Sequence, residues 1–390
     1  MKNLTFLITA YITIFLISAS CNNFSKNKSE VKQETYGNYK GKEVFLFTLR
    51  NKEGNVLKLT SFGARIIWLE VPDKGGKKDN ITFGYDTFEG MINGDPYFGA
   101  LVGRYANRIA KGKFAIDDTQ YNLALNNGLN SLHGGPGGWH SVVWDSEVIK
   151  NGKFPSVKFS YFSPDMEEGY PGNVNVETVY TWTDANEIVI EYKCTTDKKT
   201  VINVTNHVYF NLHGAGVGDI LDHVLHLKAS NFIPVDSTLI PTGEVRAVSS
   251  TPFDFTIPQA IGKRIAEEYD QLKLGNGYDH CYVLDNNEEV DASVFDPVSG
   301  RYIEVITDQP SVQFYCGNFL DGSAVGYGGK PYNFRSGLCL ETQHYPDSPN
   351  QPSFPSTILN PGEIFRSVTT YKFSVKGISK NPLLIYIPDC

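Results

Sequence analysis

The stretch richest in chemistry is residues 205–213, Thr-Asn-His-Val-Tyr-Phe-Asn-Leu-His. At the two-residue period of a β-strand, His207, Tyr209, Asn211 and His213 share one face, and Val208, Phe210 and Leu212 share the other. The polar face carries imidazoles, a phenol and an amide, with no Lys or Glu. Such a face suits the floor of a polar cleft. An exposed sheet face with satisfied histidines is the competing reading, and both stay open on this stretch alone.

Other segments carry further candidates. Residues 103–109, Gly-Arg-Tyr-Ala-Asn-Arg-Ile, offer two arginines and an amide, and an arginine fork suits paired hydroxyls or a carboxylate. An arginine that only braces a loop is the plainer alternative. Residues 132–135 put His133 on a glycine-rich loop, but no Lys-Ser/Thr follows, so this is no phosphate loop. Asp279 and His280 follow a flexible turn, and Gln313 and Tyr315 share a strand face. In residues 337–343, Leu338 and Leu340 point one way, and Cys339, Glu341 and Gln343 the other. A carboxylate inside an apolar strand is costly unless it is paired or used. A structural ion pair answers that cost as well as catalysis does. No metal site is expected: His207 and His213 lie about 20 Å apart along a strand, and His223 and His226 face opposite ways.

The elements that must position these residues are strands. The chain has 390 residues, 13% aromatic, with 36 Gly and 20 Pro. That length permits a large core, and that composition favours strands, turns and stacking on flat ligands. Alternating runs are expected at 44–49, 56–62, 66–71, 157–162, 174–183, 187–195, 302–307, 311–315, 337–343 and 364–375, with a hairpin around Asp117-Asp118. Residues 89–93 could form one helical turn, and 260–272 reads as the one amphipathic helix. No linker divides the chain after Lys42, so residues 43–390 are expected to form one all-β domain, a large β-sandwich with long loops over one face. The net charge of −8, without a basic run, argues against nucleic acid as a partner.

The N-terminus reads as a targeting segment. Lys2 precedes an apolar run from Leu4 to Ser18, and small residues then lead to Cys21. Residues 1–20 are expected to be a signal peptide, Cys21 a lipidation site, and 21–42 a polar tether. The implied location is that of an exported bacterial lipoprotein, anchored in a membrane on the periplasmic or cell-surface side. Ser18 departs from the lipoprotein pattern, which prefers an aliphatic residue there. Of Cys194, Cys281, Cys316, Cys339 and Cys390, the first four read as buried free thiols, although an exported compartment would permit a disulfide.

Six motifs in this order resemble the aldose 1-epimerase, or galactose mutarotase, family. They are residues 98–109, 130–135, 205–212, 277–280, 312–318 and 340–343, and the resemblance spans about 43 to 376. It implies a supersandwich fold and the interconversion of the α and β anomers of free aldoses such as galactose or glucose. One base and one acid suffice for that, with no cofactor. The resemblance makes Glu341 the base, His207 the acid at the ring oxygen, and His133 its helper. It gives Arg108, Asn107 and Asp279 to the sugar hydroxyls and Gln313 to the lining of the site. The implied partner is a monosaccharide, and the expected state a monomer. The alternative is a non-catalytic carbohydrate-binding lipoprotein on the same fold, and a third reading is a glycosidase using Asp279 and Glu341.

Overall fold

The computed structural model describes residues 28–95, 97–285 and 290–377. The expected signal peptide, Cys21 and Cys390 lie outside the described residues. A first antiparallel sheet runs in the order Glu30–Tyr39, Lys42–Arg50, Val56–Thr60, Arg65–Pro72 and Lys78–Asn80. Its first strand corrects the expectation of a tether over 21–42. Glu30–Tyr39 pairs with Lys42–Arg50 along its length. Lys40 and Gly41 both take positive φ, the backbone of a tight hairpin turn. Tyr36 and Tyr39 anchor the strand by setting their rings against Phe88 and Phe62, 5.5 and 4.8 Å away. The polar composition hid a strand that keeps one face toward solvent.

A second sheet has nine strands, in the order Asp145–Val148, Ser156–Ser163, Val174–Trp182, Glu187–Thr196, Phe365–Val375, Arg301–Thr307, Ala292–Phe295, Val224–Leu227 and Gln259–Ala260. Its strands alternate cleanly: Val174, Val176, Thr178, Tyr180 and Trp182 are buried, and the residues between them are not. A third sheet runs Arg246–Ala247, Asn231–Ile233, Asp279–Val283, Ser311–Tyr315 and Cys339–Gln343. The nine-stranded sheet meets both others. Tyr180 Oη donates to the Ala64 carbonyl at 2.7 Å, and Tyr371 Oη to that of Leu340 at 2.8 Å. Leu340 packs in the core and Thr342 Oγ1 lies 2.6 Å from Thr369 Oγ1 of the large sheet, so Glu341 between them turns the other way. This is the sandwich that the alternation predicts.

Helix is scarce. Phe88–Asn93 is one short helix, capped by Thr87 Oγ1, which accepts from Gly90 N. The amphipathic helix expected over 260–272 does not form. Gln259–Ala260 joins the nine-stranded sheet, and the N–H groups of Ile261 and Gly262 donate to the carbonyls of His223 and Leu221. With those donors committed to the sheet edge, the segment keeps one 3-10 turn at Ile261–Lys263, and the α-helix is confined to Asp270–Leu274. Among the described residues no helix is long and apolar enough to cross a membrane. Cys194, Cys281, Cys316 and Cys339 are buried and free.

Candidate active site

Two registers build the site. The first sits on the outer edge of the Cys339–Gln343 strand. Phe210 and Leu338 exchange both backbone hydrogen bonds, at 2.8 and 2.9 Å. In an antiparallel pair, residues three steps outward from that bridge stand opposite each other, so His207 faces Glu341. His207 Nε2 lies 3.6 Å from Glu341 Oε1, with both side chains buried. The second register joins two loops. Arg108–Ile109 pairs with Ser131–Leu132, and His133 N donates to the Asn107 carbonyl while Asn107 N donates to His133 Nδ1 at 3.1 Å. Asn107 and His133 both hold positive φ, +62° and +52°, a conformation that Asn and His tolerate better than most residues.

Half of the polar face expected over 205–213 reaches the cleft. Regular strand covers only Thr205–Asn206, and the chain then runs extended between Phe83 and Leu338. His207 and Tyr209 do share a face, with their rings stacked at 5.1 Å. Asn211 instead donates to the carbonyls of Val217 and Ser336, and His213 bonds Asp296 at 3.0 Å. The polar face therefore ends where Asn211 closes a turn.

These registers enclose a cavity of about 570 Å³, lined by Asn107, Arg108, His133, His207, Asp279 and Glu341. Gln313 does not line it. It stands behind Asp279, donating from Nε2 to Asp279 Oδ1 at 2.7 Å. Arg108 spans the floor: its Nε donates to Asn127 Oδ1 at 3.0 Å, and its Nη1 lies 3.8 Å from Asp279 Oδ2. Sequence reasoning did not single out Asp95, Tyr97, Ser237 to Leu239 or Phe319 as part of the lining. Tyr97 packs its ring on His133, His140 and His207, at 4.7, 4.9 and 5.8 Å. Nothing in its spacing announced that, because the contact is made between distant loops.

Burial dominates the electrostatics. It pushes the His207 imidazole down to about 4. It raises the Glu341 carboxyl well above its ordinary value, with Asp279 adding to the rise and Arg108 opposing it. Burial, then His207 and Arg108, holds His133 well below the ordinary imidazole value. His133 is therefore neutral, and because Nδ1 accepts a backbone N–H, its proton sits on Nε2. Glu341 Oε2 and Gln313 Oε1 are buried without a hydrogen-bond partner. The cavity thus presents a carboxyl shifted up beside an imidazole shifted down, an N–H donor at His133, an Arg–Asp pair, and a carboxyl oxygen without a partner.

Two clusters have the spacing of metal ligands: His133, His207 and Glu341, and the separate His213, His223 and Asp296. The second is assembled from segments whose sequence spacing gave no hint of it. In each, one imidazole already accepts a backbone N–H, His133 Nδ1 from Asn107 and His223 Nε2 from Leu212. Ligation through the other nitrogen would require an imidazolate or a broken hydrogen bond, so neither donor set suits a cation.

A buried carboxyl and imidazole thus meet beside an Arg–Asp pair at the edge of a β-sandwich sheet, and the comparisons with known proteins give the class. The aldose 1-epimerase family model matches residues 46–372, and the chain belongs to that family. It is 47% identical to a galactose mutarotase of Bos taurus over 319 residues, 81% of this chain and 90% of the relative. It is 37% identical to an aldose 1-epimerase of Escherichia coli (strain K12), over 85% and 96% of the two chains. A galactose 1-epimerase structure from Lactobacillus acidophilus NCFM superposes with a TM-score of 0.80 at 26% identity, covering 90% of this chain and all of that one. An aldose epimerase homologue from C. elegans gives 0.77 at 30%, with the same coverage. The chain is thus an isomerase, and the comparisons lend nothing to a non-catalytic binding protein. They also correct the expected location. Mammalian galactose mutarotases, such as those of Bos taurus, Rattus norvegicus and Homo sapiens, match at 45–47% identity, and none of these matches shows a bacterial lipoprotein or signal peptide. The reading as an exported, membrane-anchored lipoprotein is withdrawn.

Proposed function

We propose that the chain interconverts the α and β anomers of free aldoses, galactose and glucose first among them. The observation that carries this is the His207 Nε2–Glu341 Oε1 approach at 3.6 Å beside the unpartnered Glu341 Oε2. Glu341 takes the proton of the anomeric hydroxyl while His207 gives its Nε2 proton to the ring oxygen. The C1–O5 bond breaks as C1–O1 becomes a carbonyl, C1 turns about C1–C2, and closure reverses both transfers. A bound hydroxyl donating to Glu341 favours its ionised form and so moves the shared proton onto His207 before the step. His133 donates from Nε2 beside the ring oxygen without changing charge. Arg108, Asn107 and Asp279 hold hydroxyls, and Gln313 steadies Asp279. A single sandwich domain acting as a monomer carries all of these groups.

Polarimetry of freshly dissolved α-D-galactose and α-D-glucose tests this. Wild type should speed the approach to the equilibrium rotation, and Glu341→Gln should lower kcat about 10²- to 10⁴-fold, the usual range for an acid or base. No acceleration with any aldose would sink the reading, and release of reducing sugar from a glycoside would favour the two-carboxylate alternative.

A further inference from the structure

His133 and His207 are addressed in different ways. At His133 the Nδ1 partner is a backbone N–H, which leaves Nε2 protonated. At His207, Nδ1 lies 3.5 Å from the Cys339 sulfur, with both groups buried, and the residue's own backbone adds a hydrogen bond that favours the protonated ring. Cys339 precedes Glu341 by two residues and shares its strand face, so one strand supplies both the base and the atom behind the acid. The rings of Tyr209 and Tyr97 lie nearly parallel to that of His207, at interplanar angles of 17° and 19°. Those flanking rings keep His207 from turning end for end.

The reaction sets a condition on Nδ1. His207 must give a proton from Nε2 on ring opening and take it back on closing. As imidazolium it is protonated at both nitrogens. As the neutral base it must keep its proton on Nδ1, or Nε2 has no lone pair to receive one. Nδ1 is therefore a donor throughout and needs a partner that accepts. A thiol sulfur can accept, weakly. A carboxylate there would hold the imidazolium too firmly for it to protonate a weakly basic ring oxygen.

We propose that Cys339 is the positioning residue that fixes His207 in its Nδ1–H form, through an uncharged sulfur that accepts the Nδ1 hydrogen bond. The proposal rests on the reading of His207 as the acid. Burial, with Glu341 nearby, lifts the Cys339 thiol well above its ordinary value, which keeps the sulfur uncharged.

The test uses the full chain labelled with ¹⁵N-histidine, and it compares wild type with Cys339→Ala and Cys339→Ser. In wild type the His207 nitrogens should report Nδ1–H with an unprotonated Nε2, and His133 the opposite form. Cys339→Ala should populate both forms of His207 and lower kcat about three- to tenfold, with KM within twofold. Cys339→Ser, which keeps an acceptor, should restore the Nδ1–H form and most of kcat. A wild-type His207 protonated on Nε2, or a Cys339→Ala protein with unchanged tautomer and kcat, would overturn the proposal. The nitrogen readout needs no turnover. Were the protein inactive on every aldose, the proposed function would fall while the tautomer assignment was still decided.

Discussion

At the scale of single residues, the proposed acid–base roles of His207 and Glu341 carry a pH prediction. In those roles the active state holds one proton between the two groups, whichever carries it, so the limbs of the profile belong to the pair. As pH falls through about 4, where burial has placed His207, a second proton arrives and Glu341 can no longer act as base. As pH rises through the raised value of Glu341, the last proton leaves and no acid remains. Polarimetric kcat from pH 3 to 10, corrected for the buffer rate, should therefore trace a bell, and a level profile would count against the pair. Arg108→Lys should raise KM about tenfold with a smaller change in kcat, because an ammonium cannot reach both Asn127 and Asp279 as the fork does. Glu341 was legible in the sequence because a lone carboxylate in an apolar strand demands a reason. Tyr97 and Asp95 were not, since only the folded loops bring them to the cavity wall.

At the scale of elements, the motif around residues 103–109 divides its labour. Arg108 enters the cavity, whereas Arg104 turns inward and donates to the carbonyls of Ser163, Pro164, Tyr170, Pro171 and Gly172. One guanidinium thereby ties the end of the strand Ser156–Ser163 to the loop that follows it. Arg104→Leu leaves those acceptors bare and should cost about 3–5 kcal/mol, read from urea unfolding. The sequence offered two arginines with the same two readings; Arg104 proves to be the brace, and Arg108 stands at the cavity wall. Long strands were the easiest elements to foresee: residues 174–182 and 187–196 alternate without interruption between buried and less buried positions. The false helix at 260–272 shows the limit. Its apolar spacing was real, but the edge of the large sheet claimed the backbone donors first.

At the scale of the whole molecule, Asp296 links the end of the His207 segment to the nine-stranded sheet. Burial alone would raise its carboxyl, but hydrogen bonds from His213, Ser299 and Val298 outweigh that and hold it well below the ordinary carboxylate value. Folded-state stability from this group is therefore present above about pH 4 and is lost as pH falls toward its folded value. Urea midpoints should drop between pH 5 and 3 in wild type, and less steeply in Asp296→Asn. The sandwich itself could be foreseen from strand periodicity, but the docking of its sheets could not, because Tyr180 and Tyr371 bond to carbonyls that no spacing reveals. Arg108 and Glu341 are more than two hundred residues apart, and the loops around His133 and His207 come from between them. A nascent chain that has released only its first half owns no partial catalyst. Ring-opening power should appear in one step, late and slowly, when the final strands close the sandwich.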